Sequence, residues 1–374
     1  MNESNIVYWV WLSSIPGLGP RFIKSLIEYF GDPKIIWEVS KKDLKGITAI
    51  PQKVLDNIMN QKHKEEAFKI ADEITKSKVQ PITIKDDIYP KYLKNIYSAP
   101  VMLYAKGNVK KYPFCIAVVG ARKASSYGKQ IAYDLSYELA KREIVVVSGM
   151  ARGIDSSAHK GALSAGGETI AVMGCGPDVV YPYENKELRN KIAENGMIVS
   201  EYQPGTKPMP QYFPARNRII SGISKGVVIV EAGRRSGSLI TAEFALEQGR
   251  EVFAVPGNAN NVNSMGTNNL IKEGAKIVTC IDDIIEEFEF FDVTKRVQFS
   301  EDKSNPHENL FKELDKDEKR IVECLINGEE HIDIIQKKCG ISMQTLNSML
   351  VILELKGKIQ LLPGKIYKLK KSFF

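Results

Sequence analysis

The sequence predicts an α/β protein built on a doubly wound, mostly parallel sheet, with an all-helical segment before it and a small second domain after it. Three observations predict this. From residue 114 to about residue 290, short apolar runs alternate with helical stretches, as strands joined by crossover helices do. The runs Cys115–Val119, Ile144–Val147, Thr169–Met173, Met197–Ser200, Val227–Val230 and Val252–Val255 are unbroken and largely β-branched, which suits parallel strands buried on both faces. The first two lead into glycine and then a cation: Gly120-Ala121-Arg122-Lys123, and Ser148-Gly149-Met150-Ala151-Arg152-Gly153.

That second feature carries chemistry. Glycine lets the backbone turn tightly and approach an anion, and the helix that follows points N–H groups at it. Arginine adds a planar fork of donors matched to phosphate oxygens. Glycine turns are common after strands in this kind of sheet, so one such turn says little. Here Gly120/Arg122, Ser148/Gly149/Arg152, Gly174/Gly176 and Arg235/Ser236/Gly237 all follow strands. In an open α/β sheet those loops share one edge, so they are expected to converge into a phosphate-binding rim.

Composition narrows the class. The chain has 374 residues, 43% hydrophobic and 26% charged, enough for two or three ordinary globular domains. The formal net charge of +7 is modest and permits a nucleic-acid partner. Five cysteines stand far apart in sequence with no C-x-x-C pair, which argues against zinc and against a disulfide framework. The start, Met1-Asn2-Glu3-Ser4, lacks the basic region of a signal peptide, and no apolar run is long enough to span a bilayer. A cytoplasmic protein with no membrane partner and no cofactor is expected.

In order, residues 1–78 read as a helical domain of helix-hairpin-helix (SAM-like) form, in which Ile15-Pro16-Gly17-Leu18-Gly19-Pro20 is the hairpin. A degenerate second copy stands at Leu44-Lys45-Gly46-Ile47-Thr48. Such hairpins meet DNA phosphates in some proteins and only pack in others. Residues 79–292 hold the sheet, beginning with an edge strand near Val79–Ile84; residues 293–310 are polar and read as a linker. Residues 311–374 read as a winged-helix domain, with Ser342 as a helix N-cap and a hairpin turning at Pro363-Gly364. Its would-be recognition helix presents Gln344, Thr345, Asn347 and Ser348 but no arginine, so duplex reading and a partner-binding role both stay open. An acidic, apolar helix over Ile281–Phe291 suits either an interface or a solvated face.

Other motifs lead away from enzymes. Gly174-x-Gly176 lacks the third glycine of a dinucleotide fingerprint, and Gly128-Lys129 lacks the spacing and the hydroxyl of a P-loop. His159 has no evident nucleophilic partner and reads as structural. Arg216-Asn217-Arg218 follows Tyr212 and Phe213, and cations beside a ring are what single-stranded nucleic acid needs. Against that, Phe213 could pack in the core and an arginine pair with an acid such as Glu231. A helix would put Arg216 and Arg218 on different faces.

Together these motifs resemble the DprA (Smf) family of bacterial DNA-processing proteins. The resemblance rests on Val119–Arg122, Ser148–His159, Gly174–Pro182, Ser200-Glu201-Tyr202, Phe213–Gly222, Val230-Glu231-Ala232, Ser236–Ala242 and Val255–Asn258 in matching order, and it covers nearly the whole chain. It implies a Rossmann-like domain that binds single-stranded DNA without strong sequence preference. It also implies a homodimer that protects incoming single strands and helps load RecA in natural transformation, without catalysis. By this likeness Gly120, Arg122, Ser148, Gly149, Arg152, Gly153, Arg235, Ser236 and Gly237 form the phosphate pocket, Phe213 lies near a base, and Arg216, Asn217 and Arg218 support the wall. The family's basic residue just before Phe213 has no counterpart in Met209–Tyr212; Lys207 is the nearest cation. The alternative is a nucleotide phosphoribohydrolase-like enzyme on the same edge, suggested by Glu231–Ser238 and Glu243, although Ala232 and Ser238 depart from that pattern.

Overall fold

The computed structural model describes residues 3–45, 50–289, 314–326, 328–356, 358–362 and 364–369. They group into two compact units, Met1–Phe288 and Glu289–Phe374. The expected linker at 293–310 and most of the second hairpin copy lie outside the described residues.

The first unit carries nine strands: β1 (Gln80–Thr83), β2 (Met102–Gly107), β3 (Cys115–Val119), β4 (Val145–Ser148), β5 (Thr169–Met173), β6 (Met197–Ser200), β7 (Gly226–Ile229), β8 (Glu251–Ala254) and β9 (Lys276–Ile277). Their order is β1-β2-β6-β5-β4-β3-β7-β8-β9. From β6 to β9 every pairing is parallel; β1 and β2 are antiparallel additions at one edge. This is the expected Rossmann-like sheet. Successive strands extend one way from β3, and then the chain returns to β7 on its other side. The gap between β3 and β7 is therefore the topological switch point, where such sheets open a crevice at the strand C-termini.

The unbroken apolar runs are explained by cover on both faces. Alternate residues of β5 go opposite ways: Ile170 and Val172 join one large apolar cluster, while Ala171 and Met173 join a second with Leu188 and Ile192. The large cluster also takes in Val10, Trp11, Leu12, Leu26 and Ile58, so the N-terminal helices bury their apolar faces in the same core as the sheet. Within them, the Gly-x-Gly hairpin links the helices Glu3–Ser14 and Pro20–Phe30, and Asn57 Nδ2 donates to Pro16 O at 2.9 Å. The acidic helix is Asp282–Glu289. It packs rather than standing free: Ile284 is buried, and the Phe288 ring lies 5.3 Å from Phe114 and 6.1 Å from Phe253. Among the described residues no helix is long and apolar enough to cross a membrane.

The second unit has the helices Lys316–Cys324, Ile332–Cys339 and Met343–Leu355 and the strands β10 (Glu330–His331), β11 (Ile359–Leu362) and β12 (Ile366–Leu369), ordered β10-β12-β11. This is the expected winged helix. Asp315 and Glu318 form a capping box on the first helix, and Ser342 caps the third by accepting from Thr345 N at 3.2 Å. Gly340 turns the corner between the second and third helices in the left-handed region, at φ 67°. The cysteines stand far apart in sequence and are free, and folding brings Cys324 Sγ within 3.4 Å of Cys339 Sγ.

Candidate nucleic-acid interface

Two adjoining depressions open where the loops after β3, β4, β5 and β7 meet. The smaller is lined by Arg122, Gly149, Arg152, Gly174, Tyr181 and Phe213, among others. The larger, with room for about 500 Å³, runs from Gly120 and Arg122 past Phe213 and Asn217 to Ser236 and Gly237. Arg122, Ala151, Tyr181, Phe213 and Arg216 line both, so the two are lobes of one cleft.

The β3 loop presents Arg122. Its side chain is exposed, makes no ion pair among the described residues, and places its guanidinium carbon 5.5 Å from the centre of the Phe213 ring. Phe213 stands in the first turn of the helix Tyr212–Ile223, and the Tyr181 ring lies 5.3 Å from it. A cation and two rings thus meet at the cleft. A second ring pair, Tyr202 and Tyr212, stacks at 4.1 Å.

The β4 loop is held by a buried acid. Asp155, in the first turn of the helix Ile154–Ser164, accepts from the N–H groups of Gly149 and Ala151, each at 3.2 Å. Gly153 sits at φ 79°, with the Ala121 carbonyl 2.4 Å from where a Cβ would stand, so the turn needs glycine there. Gly149 is needed for a different reason: a Cβ would meet Arg216 Nη1 at 2.4 Å.

Arg216 forms the floor. It is almost wholly buried, and Nη1 donates to Gly149 O at 2.6 Å and also to Val172 O. Burial pulls its pKa down to about 10, with the facing Asp155 carboxylate opposing the shift. Burial pushes Asp155 up, against the pull of Arg216 and the turn N–H groups. Two residues on, Arg218 points elsewhere and pairs with Glu201 at 2.5 Å. The two arginines thus occupy different helix faces, and the acid that meets Arg218 is Glu201. Glu231 instead accepts from Ser125 N at 2.9 Å and Ser125 Oγ at 2.5 Å.

The loop after β7 ends in the helix Gly237–Glu247. Ser236 caps it, accepting weakly from Ser238 N at 3.4 Å, and Asn217 Nδ2 ties this turn to the neighbouring helix through Gly237 O at 3.1 Å. The partly positive N-terminus of that helix faces the larger lobe.

Of the residues singled out from sequence, Gly120, Arg122, Gly149, Arg152, Gly174, Phe213, Arg216, Asn217, Ser236 and Gly237 line the cleft. Ser148, Gly153, Gly176, Arg218 and Arg235 are not in its lining. Ser148 is fully buried and donates to Val118 O at 2.7 Å. Arg235 is exposed on the turn beyond the lobe, and Arg152 at the rim is paired with Glu184. Lys207 is exposed and outside the lining as well. Asp155 and Tyr181 were not singled out. A lone acid or ring beyond a strand carries no local signal of its partner. His159 is fully buried with Nδ1 2.7 Å from Thr169 Oγ1, and burial lowers its pKa to about 3. Among the described residues no cluster of three or more His, Cys, Asp and Glu is disposed to hold a metal.

The chain matches the family of DNA recombination-mediator protein A over residues 80–289 and the DprA winged helix domain over residues 306–365. It is 38% identical to Protein Smf of Escherichia coli K12 over 298 residues, 78% of either chain. The structure of DNA processing protein A from Streptococcus pneumoniae superposes with TM-score 0.67 at 42% identity, covering 76% of this chain and 98% of that one. That of DNA processing protein A from Helicobacter pylori, described for its single-stranded DNA binding mode, gives TM-score 0.51 at 33% identity, covering 57% and 97%. With the sheet, the glycine-rich edge and the winged helix in place, the chain belongs to the DprA/Smf family of DNA-processing proteins.

Proposed function

We propose that the chain binds single-stranded DNA in the cleft at the sheet edge, without strong sequence preference, and acts as a recombination mediator. In this role it protects incoming single strands, works as a homodimer in the cytoplasm and helps load RecA in natural transformation. The observation that carries the DNA reading is the exposed Arg122 guanidinium over the Phe213 ring, with the Tyr181 ring beside Phe213 and turns rich in backbone N–H groups around them. Cations track a phosphate backbone, and a ring stacks any base, so this combination favours a single strand over a duplex and binds many sequences. The binding mode of the H. pylori relative supports the same reading.

We infer a binding protein rather than an enzyme. For the phosphoribohydrolase-like alternative, the acids of the turn are Glu231 and Glu243. Glu231 is buried and engaged by Ser125, Glu243 is exposed, and neither lines the cleft.

The test is a titration of the full-length chain with fluorescent oligo-dT and with duplex of equal length, at two salt concentrations. The single strand should bind more tightly and weaken with salt, because phosphate neutralisation releases counterions. Arg122→Ala should weaken all single-strand sequences about equally and lower the salt slope by about 0.7. Equal affinity for duplex, or unchanged affinity in folded Arg122→Ala, would remove the cleft assignment. Whether the chain then delivers its strand to RecA is measured by filament assembly on oligo-dT in the presence of competing single-strand-binding protein. No acceleration would remove the mediator role and leave the DNA site standing.

A further inference from the structure

The winged-helix unit joins two thiols that stand 15 positions apart in the chain. Cys324 ends the first helix of that unit and Cys339 ends the second. Both are free, and their sulfurs are 3.4 Å apart. A disulfide bond is about 2.05 Å long, so a sulfur shift of about 1.4 Å closes the gap. Cys339 is buried among Ile321, Ile335 and Leu346, while Cys324 at the cluster edge is half-buried. Small oxidants therefore reach Cys324 first.

We propose that Cys324 and Cys339 are an oxidative modification site, a dithiol that a hydroperoxide converts to a disulfide within the winged-helix unit. In the first step the Cys324 thiolate attacks the peroxide oxygen. The O–O bond breaks, the sulfur becomes a sulfenic acid, and the departing hydroxide takes a proton to leave as water. In the second step Cys339 Sγ attacks that sulfur, the S–OH bond breaks, and the Cys339 proton leaves with the hydroxyl as a second water. The two thiols supply the two electrons that reduce the peroxide. Burial and contact with Cys324 push the Cys339 thiol up to about 12, so Cys339 is not the thiol that meets peroxide first, and its resolving role rests on its sulfur lying 3.4 Å from Cys324 Sγ. The product pins the first helix of the unit to the residue just before the Gly340 corner. A reducing agent such as dithiothreitol reverses it.

The test uses the full-length chain. It is treated with hydrogen peroxide, alkylated, digested with trypsin and mapped by mass spectrometry. Trypsin cuts at Lys337 and Lys338, between the two cysteines, so the disulfide appears as a joined peptide pair. Cys280, half-buried and with no thiol neighbour among the described residues, reports the oxidant dose. The expected result is a Cys324–Cys339 pair in chains that run as monomers on a denaturing gel, formed at doses that leave Cys280 largely alkylated and lost on dithiothreitol. Cys324→Ser should abolish the pair and leave Cys339 alkylated; Cys339→Ser should instead drive Cys324 on to sulfinic acid. Recovery of both cysteines as separate peptides at a dose that oxidises Cys280, or a bond formed only between chains, would overturn the proposal.

Discussion

Arg216→Ala tests the reading that this arginine is a structural floor rather than a free DNA-binding cation. The side chain is 4% exposed and gives Nη1 to the carbonyls of Gly149 and Val172. Its removal strips both carbonyls of a charged donor and leaves the Asp155 carboxylate buried without its facing cation. Two charge-assisted hydrogen bonds at about 1.5–3 kcal/mol each, and the known cost of deleting one member of a buried charge pair, both point to a loss of about 3–5 kcal/mol. For a unit of this size the loss corresponds to a fall in Tm of roughly 10 °C. The deficit should also depend on pH. The folded Asp155 has a pKa above its unfolded value, so the folded state keeps a proton that the unfolded chain has released. Stability therefore falls as pH rises through that interval, and deleting Arg216 extends the interval upward. The variant should lose more at about pH 7.5 than at about pH 5. Adding Asp155→Asn removes the stranded charge and should recover about 1–3 kcal/mol, a coupling expected of residues in one network. Arg216→Lys keeps a charge but not the planar fork and should recover only part. Urea melts followed by circular dichroism at the two pH values give all four quantities. If Arg216→Ala melts with the wild type, or if the single and double variants melt together at both pH values, the floor assignment is wrong.

Two further predictions concern the cleft and the core. Phe213→Ala should weaken oligo-dT binding by about 1–3 kcal/mol while leaving the salt slope unchanged, because a ring contributes stacking and no charge; anisotropy titrations across salt would expose an electrostatic role by a changed slope. His159 is held neutral with its pKa near 3, so its contribution to stability is present above the unfolded value near 6.5 and is lost as pH falls from there toward 3. The loss should approach about 1.4 kcal/mol per pH unit. His159→Gln should flatten this part of the profile, and an unchanged slope in urea midpoints between about pH 7 and about pH 5 would contradict it.

Local signals carried much of this protein. Runs such as Cys115–Val119 announce doubly covered strands because a parallel strand has no solvent face on which to alternate. Glycine and arginine after those runs announce the functional edge because strand C-termini in such a sheet must share one side. Caps such as Ser342 and the capping box at Asp315 are decided within four residues and are legible for that reason. Partners across the fold were decided by tertiary structure alone. Arg216 and Arg218 look alike in sequence, but one helix face meets the carbonyls of Gly149, just after β4, and Val172 in β5, and the other meets Glu201. Tyr181 becomes part of the cleft only because the loop after β5 carries it to Phe213. Cys324 and Cys339 touch only because two helices end side by side. Periodicity and turn chemistry are properties of a few adjacent residues, whereas burial and pairing depend on which crossovers bring distant segments together, and this information is spread over the whole chain.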